Sequence, residues 1–390
     1  MTERSTTLIH HPYTPPAGFN APQPGVFKAS TVIFANTAAM RARDWREKLG
    51  YTYGLHGTPT TFTLEERIAT LEGGTRCLLT PSGLAAIGLI DFALLRTGDE
   101  VLIPSNAYNP GKELARHELA GWGIGLRLYD CMNPQSLIDG ITPATKLIWL
   151  EAPGSVTMEF PDLAALLKIA RDRKVVTALD NTWGSGIAFN PFEIAPGLGV
   201  DISMHALTKF PSGGGDVLMG SVTTRDDDLH TRLKLTHMRT GLGVGANDAE
   251  AVLRGLPTLV MRYDAQDRSA RAIAQWCASR PEVSQVLHPA LAGSPGHEHW
   301  KASCKAAAGI FSIVIDERYG STQVDAFVDA LKLFKIGYSW AGPVSLVVPY
   351  DLKAIRPREE WKGTLVRLCI GLEATQDLID DLDQALRALH

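Results

Sequence analysis

Lys209 and Asp180 are the two residues whose types and positions first suggest chemistry. Lys209 lies in Asp201-Ile-Ser-Met-His-Ala-Leu-Thr-Lys209-Phe, and Asp180 in Ala178-Leu-Asp180-Asn-Thr-Trp183. Each comes at the end of an apolar run. An aldehyde cofactor needs an amine with which to condense, and a pyridine nitrogen needs a carboxylate to keep it protonated and electron-withdrawing. A lysine and an aspartate on neighbouring strand ends supply both, so the pair suggests a pyridoxal phosphate (PLP) site. Taken singly, Lys209 also reads as a solvated surface lysine, and Asp180 as a turn or capping aspartate.

Three further features could complete such a site. The turn Thr80-Pro81-Ser82-Gly83-Leu84 opens a helix, whose free N–H groups and positive dipole end suit a phosphate; alone it is also an ordinary helix start. Thr208, next to Lys209, offers a hydroxyl to the same phosphate. Tyr108 ends a strand, where its ring could stack on a pyridine or simply pack. Arg367 sits in the apolar run Leu365-Val-Arg-Leu-Cys-Ile370. A buried guanidinium needs an anion, either a substrate carboxylate or a structural ion-pair partner. His297 and His299 are spaced onto different sides of a helix with no third ligand, so no metal is expected.

The elements that must position these residues alternate. Thr63-Leu-Glu-Glu66 matches a capping box and predicts a helix start at Thr63, with Gly73-Gly74 as its stop. A short run Cys77–Thr80 and a helix from Gly83 to about Leu95 follow. Strands are predicted at 101–103, 147–150, 175–179 and 202–204, with a helix capped by Asp162 between the second and third. Strands alternating with helices at this spacing imply a mostly parallel sheet with right-handed crossovers, and ligands then sit beyond the carboxyl ends of the strands. Tyr108, Asp180 and Lys209 all fall there. Residues 246–280 read as helix broken at Pro257. Beyond them come strands at 311–315, 344–348 and 365–370 and helices at 324–334 and 376–389. The expected organisation is an N-terminal arm (1–55), an α/β cofactor domain (56–245) and a smaller α/β domain (246–390).

Bulk composition narrows the class. The 390 residues carry 38 basic and 42 acidic side chains, a net charge of −4, with 45% hydrophobic residues. That balance gives no reason to expect nucleic acid or an acidic membrane surface as a partner. No apolar run approaches the roughly 20 residues that span a bilayer. Five scattered cysteines, odd in number and never CxxC, fit a reduced cytoplasmic compartment better than a disulfide framework.

From about Tyr51 to the C-terminus the chain resembles the cystathionine β-lyases of the Cys/Met-metabolism PLP enzymes (fold type I). The matching segments include Tyr51-Thr-Tyr53-Gly, Leu71-Glu-Gly-Gly74, Glu151-Ala-Pro-Gly-Ser155, Asp180-Asn-Thr-Trp183, Ala206-Leu-Thr-Lys209, Arg254-Gly-Leu256, His288-Pro-Ala-Leu291, Gly293-Ser-Pro-Gly-His297, Tyr338-Ser-Trp340 and Arg367-Leu-Cys-Ile-Gly-Leu-Glu373. Ser339-Trp340 is the telling pair, because related γ-synthases and γ-lyases more often carry Ser-Leu. The resemblance implies a PLP-dependent transferase-like fold. It implies that Lys209 joins the cofactor and then moves protons, with Tyr108 as helper. Asp180 would pair the ring nitrogen and Tyr108 stack on the ring. Gly83, Leu84, Ala206 and Thr208 would surround the phosphate. Tyr53 would reach the site of an adjacent subunit, making the protein at least a dimer and commonly a tetramer. Arg367, Ser339 and Trp340 would meet the substrate. The expected reaction is β-elimination of L-cystathionine to homocysteine, pyruvate and ammonia. The alternatives are a γ-lyase, a γ-synthase or sulfhydrylase, and a PLP-binding regulatory protein.

Three segments depart from that pattern. Gly213-Gly-Gly-Asp216 stands where the family has Gly-His-Ser-Asp, and Ala341-Gly-Pro-Val-Ser345 where it has Gly-Gly-Tyr-Glu-Ser. The family also usually has arginine two residues after Tyr53; here the residue is Leu55, followed by His56. Losing a charge-assisted phosphate bond costs roughly 1.5–3 kcal/mol. Leu55→Arg should therefore slow the loss of PLP on dialysis; equal loss from both proteins would mean that another cation already serves.

Overall fold

The computed structural model describes residues 18, 21–45, 48, 50–356 and 362–390. His10, His11 and the first part of the predicted arm lie outside the described residues. In chain order the main elements begin with α1 (Pro59–Glu72), β1 (Arg76–Thr80), α2 (Gly83–Leu94), β2 (Glu100–Pro104), α3 (Asn109–Leu114), β3 (Gly125–Tyr129) and β4 (Thr145–Glu151). There follow α4 (Leu163–Asp172), β5 (Val176–Asp180), β6 (Ile202–His205), β7 (Gly220–Thr224), α5 (Asp227–Thr240), α6 (Ala246–Gly255) and α7 (Leu259–Ala278). The last part comprises β8 (Val283–Leu287), β9 (Ile310–Ile315), α8 (Ser321–Ala330), β10 (Lys335–Ile336), β11 (Leu346–Tyr350), β12 (Thr364–Cys369) and α9 (Thr375–Leu386).

Seven strands form one sheet in the order β1-β7-β6-β5-β4-β2-β3. Five of them, β6 through β3, run parallel, whereas β7 is antiparallel to both neighbours. The predicted mostly parallel sheet is therefore present, with an antiparallel end. Both faces are buried. Leu147 and Trp149 of β4 join a core with α2 residues such as Ile87 and Ile90, while Ile148 and Leu150 join another with Leu163 and Leu167 of α4. Alternation along the strand delivers successive side chains to opposite layers. A second sheet, in the order β10-β11-β12-β9-β8, carries α7, α8 and α9 residues on one face.

Local signals account for most boundaries and for one error. α1 begins at Pro59, not Thr63: Thr58 is the N-cap, and Thr58 and Thr61 form the reciprocal capping pair, with proline in the first turn. The sequence offers two overlapping capping patterns, and Pro59 favours the earlier one. Gly73 ends the helix in the left-handed region at φ 77°. Asp162 caps α4 by accepting the Ala165 N–H at 3.0 Å, as predicted. The predicted helix at 324–334 instead spans Ser321–Ala330 and gives way to the short strand β10. The strands β3, β7 and β8 have no expectation above; their polar and glycine-rich runs hide the alternation. All five cysteines are unpaired, and no helix among the described residues is long and apolar enough to cross a membrane.

Asp91 is a titratable residue in the core beside the sheet. Asp91 of α2 is fully buried, and its Oδ1 accepts the Trp149 indole N–H at 2.9 Å. Its Oδ2 has no hydrogen-bond partner. Burial pushes the carboxyl up to about 7, against the pull of the Trp149 bond. A folded-state value above the ordinary one gives stability that is present at low pH and lost as pH rises through about 7. Asp91→Asn should accordingly raise the unfolding free energy measured in urea at pH 8 by about 1–3 kcal/mol, after the cost of an unpartnered amide. The gain should shrink toward pH 4. A variant destabilised equally at both pH values would show that the charge does not matter.

Candidate active site

The carboxyl ends of the parallel strands stand abreast. Glu151 of β4 is the register partner of Asp180 of β5, and Asp180 that of Met204 of β6. β2 ends at Pro104 and leads through Ser105-Asn106-Ala107 to Tyr108, which begins α3. This row of strand ends is where a doubly wound sheet leaves room for a ligand.

Lys209 follows β6 after a tight turn in which its N–H donates to Ala206 O at 3.0 Å. Its Nζ donates to Ser339 Oγ at 2.6 Å and stands 5.6 Å from the centre of the Trp340 ring. The amine is pushed down to about 8, first by burial and then by the Arg367 charge. It is thus partly neutral near physiological pH, as a nucleophilic or proton-accepting amine must be.

Asp180 accepts the Thr182 N–H at 3.0 Å. Burial raises its carboxyl; the Thr182 bonds and the charges of His205 and Lys209 oppose that rise. Glu151 is pushed far up, by burial and then by the Asp180 charge, and its Oε2 accepts the Tyr108 N–H at 2.7 Å. Both adjacent carboxyls are raised by burial, and the Asp180 charge pushes Glu151 up further. Glu151 is a site residue that the sequence reading passed over, although it ends an apolar strand just as Asp180 does. The Tyr108 ring is 44% exposed, open to a stacking partner, and burial followed by the Asp180 charge pushes its hydroxyl pKa up, which disfavours ionisation.

Arg367 projects from β12 with only 8% exposure. Its Nη2 lies 3.5 Å from Ser339 O, its guanidinium covers the Tyr350 ring at 5.3 Å, and its Nε has no partner. Among the described residues no ion pair is formed by Arg367, which disfavours the structural-bridge alternative. Ser339 and Ala341, on either side of Trp340, hold positive φ of 95° and 65°. Such backbone is costly for side-chain-bearing residues and persists where packing over-determines it.

The presumptive phosphate end is only partly ready. Ser82 caps α2 by accepting the Ala85 N–H at 3.0 Å; the N–H groups of Gly83 and Leu84 belong to the first turn, where no intrahelical acceptor exists. A Cβ on Gly83 would come within 2.7 Å of Ala206 Cβ, so glycine is required by that close approach. The Thr208 hydroxyl donates to Met219 O at 3.2 Å and accepts the Met219 N–H at 3.1 Å. Leu55 turns inward: a Cβ on Gly243 would meet its Cδ1 at 2.8 Å. His56 is held by Thr52 at 2.7 Å, and burial with the Lys234 and His237 charges pushes its imidazole down. It is therefore a poor cation to replace an arginine. Tyr53 has a half-exposed ring set edge-on to His56.

The Cys/Met metabolism PLP-dependent enzyme family model matches residues 5–387. The chain belongs to this family. A cystathionine beta-lyase from Bordetella avium is 37% identical, with 97% of this chain and 96% of that protein covered. A cystathionine gamma-lyase from Rattus norvegicus is 34% identical over 87% of this chain and 86% of its own length. The solved cystathionine gamma synthase from Xanthomonas oryzae pv. oryzae, in complex with cystathionine, superposes with a TM-score of 0.87 at 30% identity, covering 96% of this chain and 95% of that one. The cofactor of the family is pyridoxal phosphate. The residues present fit it: a buried amine of lowered basicity, a buried carboxyl on the adjacent strand end, an open aromatic ring and a free helix N-terminus. The orphaned Arg367 Nε adds a donor for a second anion.

If Lys209 is the residue of this PLP enzyme that takes up the cofactor, borohydride-trapped cofactor should map to it. Capture at a fixed time should climb with pH and level off above about 8, where the amine has lost its proton. A rise that continues toward 10.5, the ordinary lysine value, would sink the assignment.

Proposed function

We propose that the protein is a carbon–sulfur β-lyase that cleaves L-cystathionine and related thioether or disulfide amino acids, with uptake of one water, to pyruvate, ammonia and a thiol (a persulfide where the substrate is a disulfide). The observation that carries this reading is the contact of Lys209 with Ser339 beside Trp340, since this Ser-Trp pair resembles the β-lyases rather than the γ-enzymes. The high identity to a cystathionine beta-lyase across nearly the whole chain supports it.

In this reading Arg367 receives the substrate carboxylate through its fork of N–H groups, and the Ser339 backbone holds the guanidinium beside Lys209. Bound pyridoxal phosphate supplies the aldehyde that takes the substrate amine and a ring that accepts the electron pair left at Cα. Asp180 would hold the ring nitrogen, and Glu151 accepts the Tyr108 N–H and so fixes the backbone that carries the ring available for stacking. Gly83, Leu84, Ala206 and Thr208 surround the phosphate, with the Thr208 hydroxyl turning from Met219. Lys209, released as an amine, removes the Cα proton and returns one to the departing sulfur. The indole of Trp340 confines the ammonium during that transfer, a cation–π role. The half-exposed Tyr53 completes the site of a second copy, so the working unit is at least a dimer. Its compartment is the cytoplasm, and the reaction serves methionine supply.

A γ-lyase or γ-synthase is the second reading, favoured by the likeness to the rat enzyme and to the Xanthomonas structure. The keto acid decides between them. With cystathionine, and with cystine as a second substrate, the purified holoenzyme should release pyruvate, and Lys209→Ala should abolish turnover. Release of 2-oxobutyrate, or a new thioether from an acylated homoserine, would move the assignment to γ-chemistry. Cofactor binding with no keto acid from any of these would leave a regulatory protein.

A further inference from the structure

Behind the row of strand ends lies a second buried charge cluster that the proposed reaction does not use. Glu72 is the last residue of α1, and its side chain is fully buried. A carboxylate there faces the negative end of the helix dipole, and burial adds a desolvation cost. Three side chains meet it. Asn181 Nδ2 donates to its two oxygens at 3.2 and 3.3 Å, Ser203 Oγ–H donates to Oε2, and His205 Nδ1 stands 3.1 Å from Oε1. The His205 approach is close but off the hydrogen-bond axis, so it acts chiefly through charge.

His205 is itself fully buried and ends β6. Its Nε2 lies 3.2 Å from Ser185 Oγ, and Ser185 is held there at φ 54°, a backbone that non-glycine residues rarely adopt. The imidazole therefore faces Glu72 through Nδ1 and Ser185 through Nε2. The cluster also touches the cofactor row. His205 follows Met204, the register partner of Asp180, and Asn181 follows Asp180 and donates its N–H to Met204 O at 2.8 Å. The charged and titratable groups around Asp180 are Glu151 on β4, Tyr108 before α3, His205 ending β6 and Lys209 after it. Of these, His205 and Lys209 favour an ionised Asp180.

We propose that the buried Glu72–His205–Asn181 cluster, one layer behind the pocket, positions Asp180 against the ring nitrogen of pyridoxal phosphate. Glu72 and His205 are both positioning residues. Glu72 anchors Asn181, the neighbour of Asp180, and His205, at the end of the strand that pairs with Asp180, bridges Glu72 to Ser185. The inference rests on the reading of Asp180 as the ring-nitrogen partner, and it holds whether the holoenzyme performs β- or γ-chemistry.

A double-mutant cycle on the full-length protein tests it, with PLP affinity and the visible absorption band of the bound cofactor as readouts. Asp180→Asn and His205→Gln should each weaken PLP binding by about tenfold or more and shift the band, as loss of an outer partner does at other ligand sites. Combined, they should weaken it no further than Asp180→Asn alone. Glu72→Gln should act in the same direction; if that variant does not fold, His205→Gln carries the test. Multiplicative losses would overturn the proposal. So would a His205→Gln protein that melts lower yet binds PLP within about twofold of the parent with an unchanged band, because the pair would then only tie α1 to the sheet. An Asp180→Asn protein with unaltered affinity and band would overturn this inference together with the reading of Asp180.

Discussion

A buried carboxylate that must stay ionised is the constraint on which the site depends. Asp180 ends an apolar strand with no arginine or lysine paired to it among the described residues, and burial alone would protonate it. The surroundings divide the labour. Thr182 donates hydrogen bonds, the charges of His205 and Lys209 oppose the rise, and the Asp180 charge in turn pushes the adjacent Glu151 carboxyl further up. In the proposed reading a pyridinium nitrogen is the counter-charge that this carboxyl would meet.

The same logic runs across the pocket. Arg367 is a buried cation with an unpartnered Nε, placed where its charge lowers the basicity of Lys209. One group therefore both awaits an anion and tunes the amine.

The phosphate end is less finished. Leu55 packs on Gly243, and His56 is held by Thr52 in a setting that disfavours its cationic form. The helix dipole and the first-turn N–H groups of α2 are then the main local attraction for phosphate.

What could be read along the chain was what is local. Apolar alternation, the Asp162 cap, the Gly73 stop and the break at Pro257 located most elements, because hydrogen bonding and period act over a few residues. The motif residues Lys209, Asp180, Tyr108 and Arg367 were legible too, since each is a polar residue in an apolar setting. Even so, Thr63 was mistaken for the helix start when Thr58 and Pro59 set it, and Glu151 was passed over despite the same strand-end signal as Asp180. Only the tertiary structure decided which of these side chains meet. Lys209 touches Ser339 across 130 residues, and Glu72 meets Ser203 across 131. The reason is physical: register and crossover set those distances, and both arise from packing two sheets with their helices, which no local pattern records.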